Sequence, residues 1–206
     1  MHRYHVMLVN GYRVTRYMLK HQLEISGHFT VTEAATSVEA RNLRISPALL
    51  VVDISDPGKN GLETLCDLMH DFPALPCLVV GGPHDDALCT HYLRLGCDAY
   101  LPRDASQDEI LHTAMHFASG RGGKPQRHTL TPSLVMPHLP HINLSTRERQ
   151  VFFKLTAGKS IPSVARELLI SASSVSVFRC KILRKMHCSN NAELISYAFR
   201  HRLVYA

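Results

Sequence analysis

The chain has 206 residues, 45% of them hydrophobic and 19% charged, a balance ordinary for a soluble globular protein and comfortable for two domains. No apolar run approaches the ~18 residues of a membrane span, and the opening Met1 to His5 with a five-residue apolar run after it lacks the form of a signal peptide, so a membrane or secreted protein is excluded and a cytoplasmic one expected. The net charge of +6 is unevenly placed: residues 1–122 hold 10 Lys+Arg against 14 Asp+Glu, while residues 142–206 hold 11 against 3. An acidic first half joined to a basic tail points to a polyanion as the partner of the tail.

Over the first 120 residues short apolar runs alternate with amphipathic segments. Strands are predicted at His5–Val9, Phe29–Ala34, Leu49–Val52, Cys77–Val80 and Ala99–Leu101, and helices at about Val14–Ile25, Val38–Leu43, Gly61–Asp71, Asp85–Leu95 and Gln107–Ala118. Strand then helix, repeated, implies a parallel sheet with helices on both faces. In such sheets ligands bind beyond the carboxyl ends of the strands, here Asn10-Gly11, Asp53, Gly81-Gly82 and Pro102-Arg103. Gly120, Gly122, Gly123 and four prolines up to Pro140 then break the rhythm, which reads as an interdomain linker over 121–141.

The tail reads as four helices. Ser145 and Glu148 form an S-x-x-E capping box for a helix ending at Gly158. Ser160 caps a second, with Pro162 in its first turn where a missing N–H is harmless. A third runs from about Ser173 to Met186, and Asn190 or Asn191 caps a fourth over Ala192–His201. None of the six cysteines forms a C-x-x-C pair, so they are expected to be reduced and mostly buried. His112 and His116 share a helical face and His138 and His141 lie in the linker, but no acid or thiol completes a metal site near either pair in sequence. No metal or other cofactor is expected.

By geometry alone, ~100° per residue puts Val175, Phe178, Ile182 and Met186 on one side of the third tail helix as a core stripe. Ser173, Ser176, Val177, Cys180, Lys181 and Arg184 lie opposite. Such a face fits the DNA major groove. Arg179, Lys181, Arg184 and Lys185 suit phosphate contacts, as do Arg147 and Lys159 near helix starts.

Leu144-Ser-Thr-Arg-Glu-Arg149, Ala165-Arg-Glu-Leu-Leu-Ile-Ser171, Val175, Ile182-Leu-Arg-Lys-Met186 and Asn191-Ala-Glu-Leu194 resemble the LuxR/NarL-type helix-turn-helix over about 62 residues. Val51-Val-Asp-Ile-Ser-Asp-Pro-Gly-Lys-Asn-Gly-Leu62 and Gly96-Cys-Asp-Ala-Tyr-Leu-Pro-Arg-Asp-Ala-Ser106 resemble the phosphoacceptor loop and fifth-strand region of a response-regulator receiver. The whole chain is thus similar to a NarL/FixJ-type response regulator. That resemblance implies a doubly wound, flavodoxin-like, five-stranded receiver (1–120), a linker (121–141) and an all-α LuxR-type DNA-binding domain (142–206).

The resemblance places Ser176, Val177 and Cys180 at base-contacting positions and Leu194, Ile195, Ala198 and Phe199 at a dimer contact. It implies double-stranded DNA as a partner, a second copy or another response regulator as the other half of a dimer, RNA polymerase as a further contact, and no enzymatic activity. A receiver of this family uses two acids after its first strand, an acceptor Asp, a Ser or Thr after its fourth strand and a Lys after its fifth. This chain offers Asn10, Gly11, Asp53, Gly81 and Arg103, with Tyr100 at the aromatic switch position. The pocket reads as degenerate. The expected protein is a transcription regulator independent of phosphorylation, with Arg103 paired to Asp53 through its planar fork. Two alternatives stay open: a conventional regulator phosphorylated on Asp53, and an auxiliary regulator acting mainly by heterodimerising.

Overall fold

The computed structural model describes residues 3–54, 61–82, 92–102, 104–120, 139–201 and 203–204. Backbone contacts divide the chain into two compact units, one of residues 1–56 and 71–136, the other of residues 57–70 and 137–206.

In the first unit five parallel strands, β1 (Tyr4–Val9), β2 (Phe29–Ala34), β3 (Leu49–Asp53), β4 (Cys77–Gly82) and β5 (Ala99–Pro102), stand in the order β2-β1-β3-β4-β5. The central β3 is buried at every residue, as its run of Leu and Val demands of a strand covered on both faces. Helix α1 (Arg13–Ile25) and helix α4 (Gln107–Ala118) supply Leu19 and Leu23, and Ile110, Ala114 and Phe117, to a core shared with Val6, Leu8, Val51 and Leu78. Helix α2 (Ser37–Asn42) is capped by Thr36, which accepts from the Glu39 N–H. A Ser106–Glu109 capping box starts α4.

The predicted strands are present, β2 with the predicted ends and the other four longer by one or two residues. β4 runs two residues further than its apolar run suggests, through a register irregularity between Val80 and Gly82. Gly81 sits there at φ 93°, a left-handed backbone that Gly adopts without the Cβ clash of other residues. Of the helix expected at Asp85–Leu95, residues 92–95 are helical and the rest lie outside the described residues.

The second unit holds α3 (Gly61–Asp71, through His70), a 3₁₀ turn η1 (Pro140–Asn143) and helices α5 (Thr146–Thr156), α6 (Ile161–Glu167), α7 (Ala172–Met186) and α8 (Asn191–Arg200). Ser145, Ser160 and Asn190 each accept a backbone N–H from the first turn as their sequence proposes, and Ser171, for which no cap is proposed, does the same for α7. Gly158 ends α5 at φ 80°.

The backbone contacts divide the chain at points other than the expected boundaries. Linker and domain were expected to meet at residue 142, yet His141 belongs to the tail unit: it is buried, its ring lies 6.4 Å from that of Phe152, and its Nδ1 lies 2.7 Å from the Tyr197 hydroxyl. Burial raises the Tyr197 phenol to about 12. Helix α3, expected in the first domain, falls in the second unit by its backbone contacts, and its Asp67 and Glu63 carboxylates pair with Lys154 of α5 and Lys159 of the turn after it.

Candidate nucleic-acid interface and receiver-like pocket

Helix α7 has two unlike sides. Val175, Ile182 and Met186 are buried and Phe178 is half-buried, while Ser173, Val177, Cys180, Lys181 and Arg184 are exposed. Ser176, Val177, Cys180, Lys181 and Arg184 together line an open pocket of about 480 Å³. The Ser176 hydroxyl donates to the Ala172 carbonyl at 3.0 Å, and the Ser173 hydroxyl lies 2.8 Å from that of Ser171; each keeps an acceptor lone pair. The Lys181 ammonium stands 5.9 Å from the Phe178 ring centroid, within cation–π range.

The other candidate phosphate contacts are engaged inside the unit. Arg147 donates to the Gln150 side chain at 2.6 Å and to the Leu168 carbonyl at 2.7 Å, so it braces α5 against the end of α6. Arg179 donates to Asn191 Oδ1 at 2.7 Å. Lys185 reaches Glu148, the capping-box acid, at 2.6 Å. Burial would raise the Glu148 carboxyl, but the Lys185 ammonium and hydrogen bonds from Ser145 reverse this and hold it below the usual glutamate range. Lys159 bridges Glu63 and Glu167, each at 2.8 Å.

Sequence reasoning missed the cluster around Lys154. This ammonium, almost fully buried, lies 2.8 Å from Glu63, 2.9 Å from Asp67 and 3.2 Å from Glu167. Gln150 donates to the other Asp67 oxygen at 2.7 Å. Burial pushes the Lys154 ammonium down, but the carboxylates of Asp67 and Glu63 outweigh it and the group is held well above the usual lysine range. A signal was present: Glu63 and Asp67 are spaced i, i+4 on one helix, and so are Gln150 and Lys154 on another, which puts each pair on one face.

Of the residues named for dimer contact, Leu194 and Ala198 are fully buried. They pack inside their own domain. Ile195 is half-buried and Phe199 exposed.

At the carboxyl edge of the sheet, Asp53 ends β3 and is buried. Asn10, also buried, donates from Nδ2 to the Asp53 carbonyl at 3.1 Å and accepts the Tyr12 N–H on Oδ1 at 2.6 Å. It thereby ties β1 to β3 and turns the chain into α1. Gly11 lies in that bend. Tyr100 stacks on Tyr92 at 5.2 Å and 18°. Arg103, expected to pair with Asp53, lies outside the described residues, as does His138. No single helix among the described residues is long and apolar enough to cross a membrane.

Residues 142–198 match the family described as bacterial regulatory proteins, luxR family. The chain is 26% identical to the response regulator GacA of Pseudomonas protegens over 98% of both chains. It is 29% identical to the transcriptional regulatory protein FixJ of Bradyrhizobium diazoefficiens, over 76% of this chain and 75% of that one. The solved complex of the two-component response regulator RcsB with DNA shares the fold, with a TM-score of 0.52 at 20% identity over 96% of this chain and 98% of that one. Residues 142–198 thus carry a match to the luxR-family helix-turn-helix behind a receiver-like five-stranded unit, in a chain similar over nearly its whole length to a response regulator.

Proposed function

We propose that this regulator reads DNA through the outer face of α7 and does so without phosphoryl transfer to Asp53. The single observation that carries the DNA reading is the α7 surface itself, where Ser176, Val177, Cys180, Lys181 and Arg184 line one open pocket on the second helix of a helix-turn-helix. Serine hydroxyls accept and donate to base edges and Val177 suits a thymine methyl. Lys181 and Arg184 supply phosphate contacts that position the helix. With Arg147, Arg179 and Lys185 spent on internal bonds, the α7 face has few strong contacts, so a second half-site in a dimer is needed. Phe199 and Ile195 are the α8 side chains available to that dimer, with a second copy or with another regulator.

The phosphorylation-independent reading rests on Asn10. A phosphoryl transfer of this kind needs Mg²⁺, which is held by carboxylates in near-octahedral geometry. At the family's metal and acceptor positions the chain supplies Asp53, an Asn10 amide already committed to two structural bonds, and Gly11 with no side chain. This donor set does not fit the ion. Gly81, in a left-handed bulge, takes the place of the hydroxyl that reads the phosphoryl group.

The test is a gel shift of the full chain before and after incubation with acetyl phosphate and Mg²⁺, with intact mass measured in parallel. Equal DNA affinity in both arms is expected. A phosphoryl adduct on Asp53 with a tenfold gain in affinity, about 1.4 kcal/mol, overturns the reading.

A further inference from the structure

The line of α7 that meets base edges carries no long polar side chain. Ser173, Ser176, Val177 and Cys180, spaced i, i+3, i+4 and i+7, run down one side of the helix. In a helix-turn-helix the N-terminal part of the second helix contacts the bases. Guanine is read there by Arg or Lys across O6 and N7, and adenine by Asn or Gln across N6 and N7; none of these residue types stands on this line. The cations beside it are placed for other work. Arg179 is bound to Asn191, the Lys181 ammonium stands over the Phe178 ring, and Arg184 lies roughly 20 Å along the axis from the Ser171 cap.

What the line offers instead is apolar surface and lone pairs. Val177 is 54% exposed, Cys180 is exposed one turn on, and both line the open pocket of about 480 Å³. A β-branched side chain in a helix keeps essentially one χ1 rotamer, so the Val177 methyls make a fixed wall. Cys180 makes a second wall, because a free thiol behaves as a small hydrophobe with a weak S–H donor. The Ser176 hydroxyl spends its proton on the Ala172 carbonyl at 3.0 Å and keeps lone pairs with which to accept. A single exposed valine needs no explanation. A valine and a cysteine flanking one hollow, with an acceptor at its rim, on the side that meets base edges, make a receptor for a methyl group.

We infer that α7 selects its half-site through the C5-methyl group of a thymine held between Val177 and Cys180, with Ser176 accepting from a nearby exocyclic amino group, N6 of adenine or N4 of cytosine. Thymine alone among the four bases puts a methyl group into the major groove. Guanine presents acceptors alone in that groove and finds no bidentate donor on this line of the helix. The inference rests on the DNA reading of α7 and names the base that the helix reads.

Selection of duplexes from a random pool by the full chain tests it first. Gel shifts on the selected site follow, with deoxyuridine, which lacks only the methyl group, replacing thymidine one position at a time. The expected result is a thymine in each half-site whose replacement weakens binding about fourfold, the ~0.8 kcal/mol of one buried methyl-sized group. With a C·G pair at that position, 5-methylation of the cytosine strengthens binding by about the same factor. In Val177→Ala, which circular dichroism melts should show folded because the position is exposed, the deoxyuridine replacement costs less than twofold. A selected site in which every deoxyuridine replacement stays within twofold overturns the inference and leaves the DNA reading standing. So does a loss of full size in Val177→Ala. A pool from which no sequence is enriched overturns both.

Discussion

The Lys154 ammonium lies 2.9 Å from Asp67 Oδ2, both side chains at most 6% exposed, although 87 positions separate them in sequence. Taking two such charges out of water costs several kcal/mol per ion, and their attraction repays this only if their remaining hydrogen-bonding groups are satisfied. Here Glu63 and Glu167 share the ammonium and Gln150 takes the second Asp67 oxygen. Asp67→Asn should therefore destabilise the tail unit by about 3 kcal/mol, the low end for breaking a buried pair because other carboxylates remain. Adding Lys154→Met should recover most of that loss. Urea denaturation of the two variants checks it; a double variant no more stable than Asp67→Asn alone contradicts it.

Arg184 and Lys185 adjoin on α7 but should behave differently. Arg184→Ala should weaken DNA binding about equally on all sequences and lower the salt slope by about one. Lys185 is tied to Glu148, so Lys185→Ala should act first on stability. Ser176→Ala or Val177→Ala should change sequence preference, by about 1–3 kcal/mol at the affected base pair. Gel shifts on specific and scrambled DNA across a salt series separate these outcomes. Identical behaviour of all four variants counts against the groove assignment.

Acid should loosen the tail unit through Glu148 and Glu167. Burial works against the charged form of each, but the ammonium of Lys185 for one, and of Lys159 and Lys154 for the other, prevails and both carboxyls titrate below their ordinary value of 4.5. A carboxyl depressed in the folded state contributes stability that is present above the unfolded value and disappears as pH falls through the folded one. Thermal melts should thus decline as pH drops below about 4.5. Glu148→Gln should flatten that decline while lowering stability at neutral pH.

Leu169 holds φ 54° in the turn before α7 and is 80% exposed. The left-handed backbone costs a non-glycine residue roughly 1–2 kcal/mol, and exposure leaves this leucine little burial to offset it. Leu169→Gly should raise stability by about 0.5–1 kcal/mol, the gain being reduced by the extra chain entropy of glycine. An unchanged or lower melting temperature would show that the leucine has a compensating contact.

Local signals settled much of this protein before any fold was seen. The alternation of buried-strand and amphipathic runs gives the parallel sheet because the periods of strand and helix are written in adjacent residues. Ser145, Ser160 and Asn190 state where their helices begin, since a cap bonds only to its own first turn. The two sides of α7 follow from 3.6 residues per turn, and the Asn10 and Gly11 that stand where the resemblance expects acids are plain in the sequence. Tertiary structure decided everything that depends on which distant groups meet. It gave Arg147, Lys159 and Lys185 internal partners. It moved His141 from a linker into a core beside Tyr197. It buried Leu194 and Ala198, and it left an outer stripe of α1, Val14, Tyr17, Met18 and Ile25, in water. A helical period marks which residues share a face, whereas burial of that face depends on what the rest of the chain folds against it.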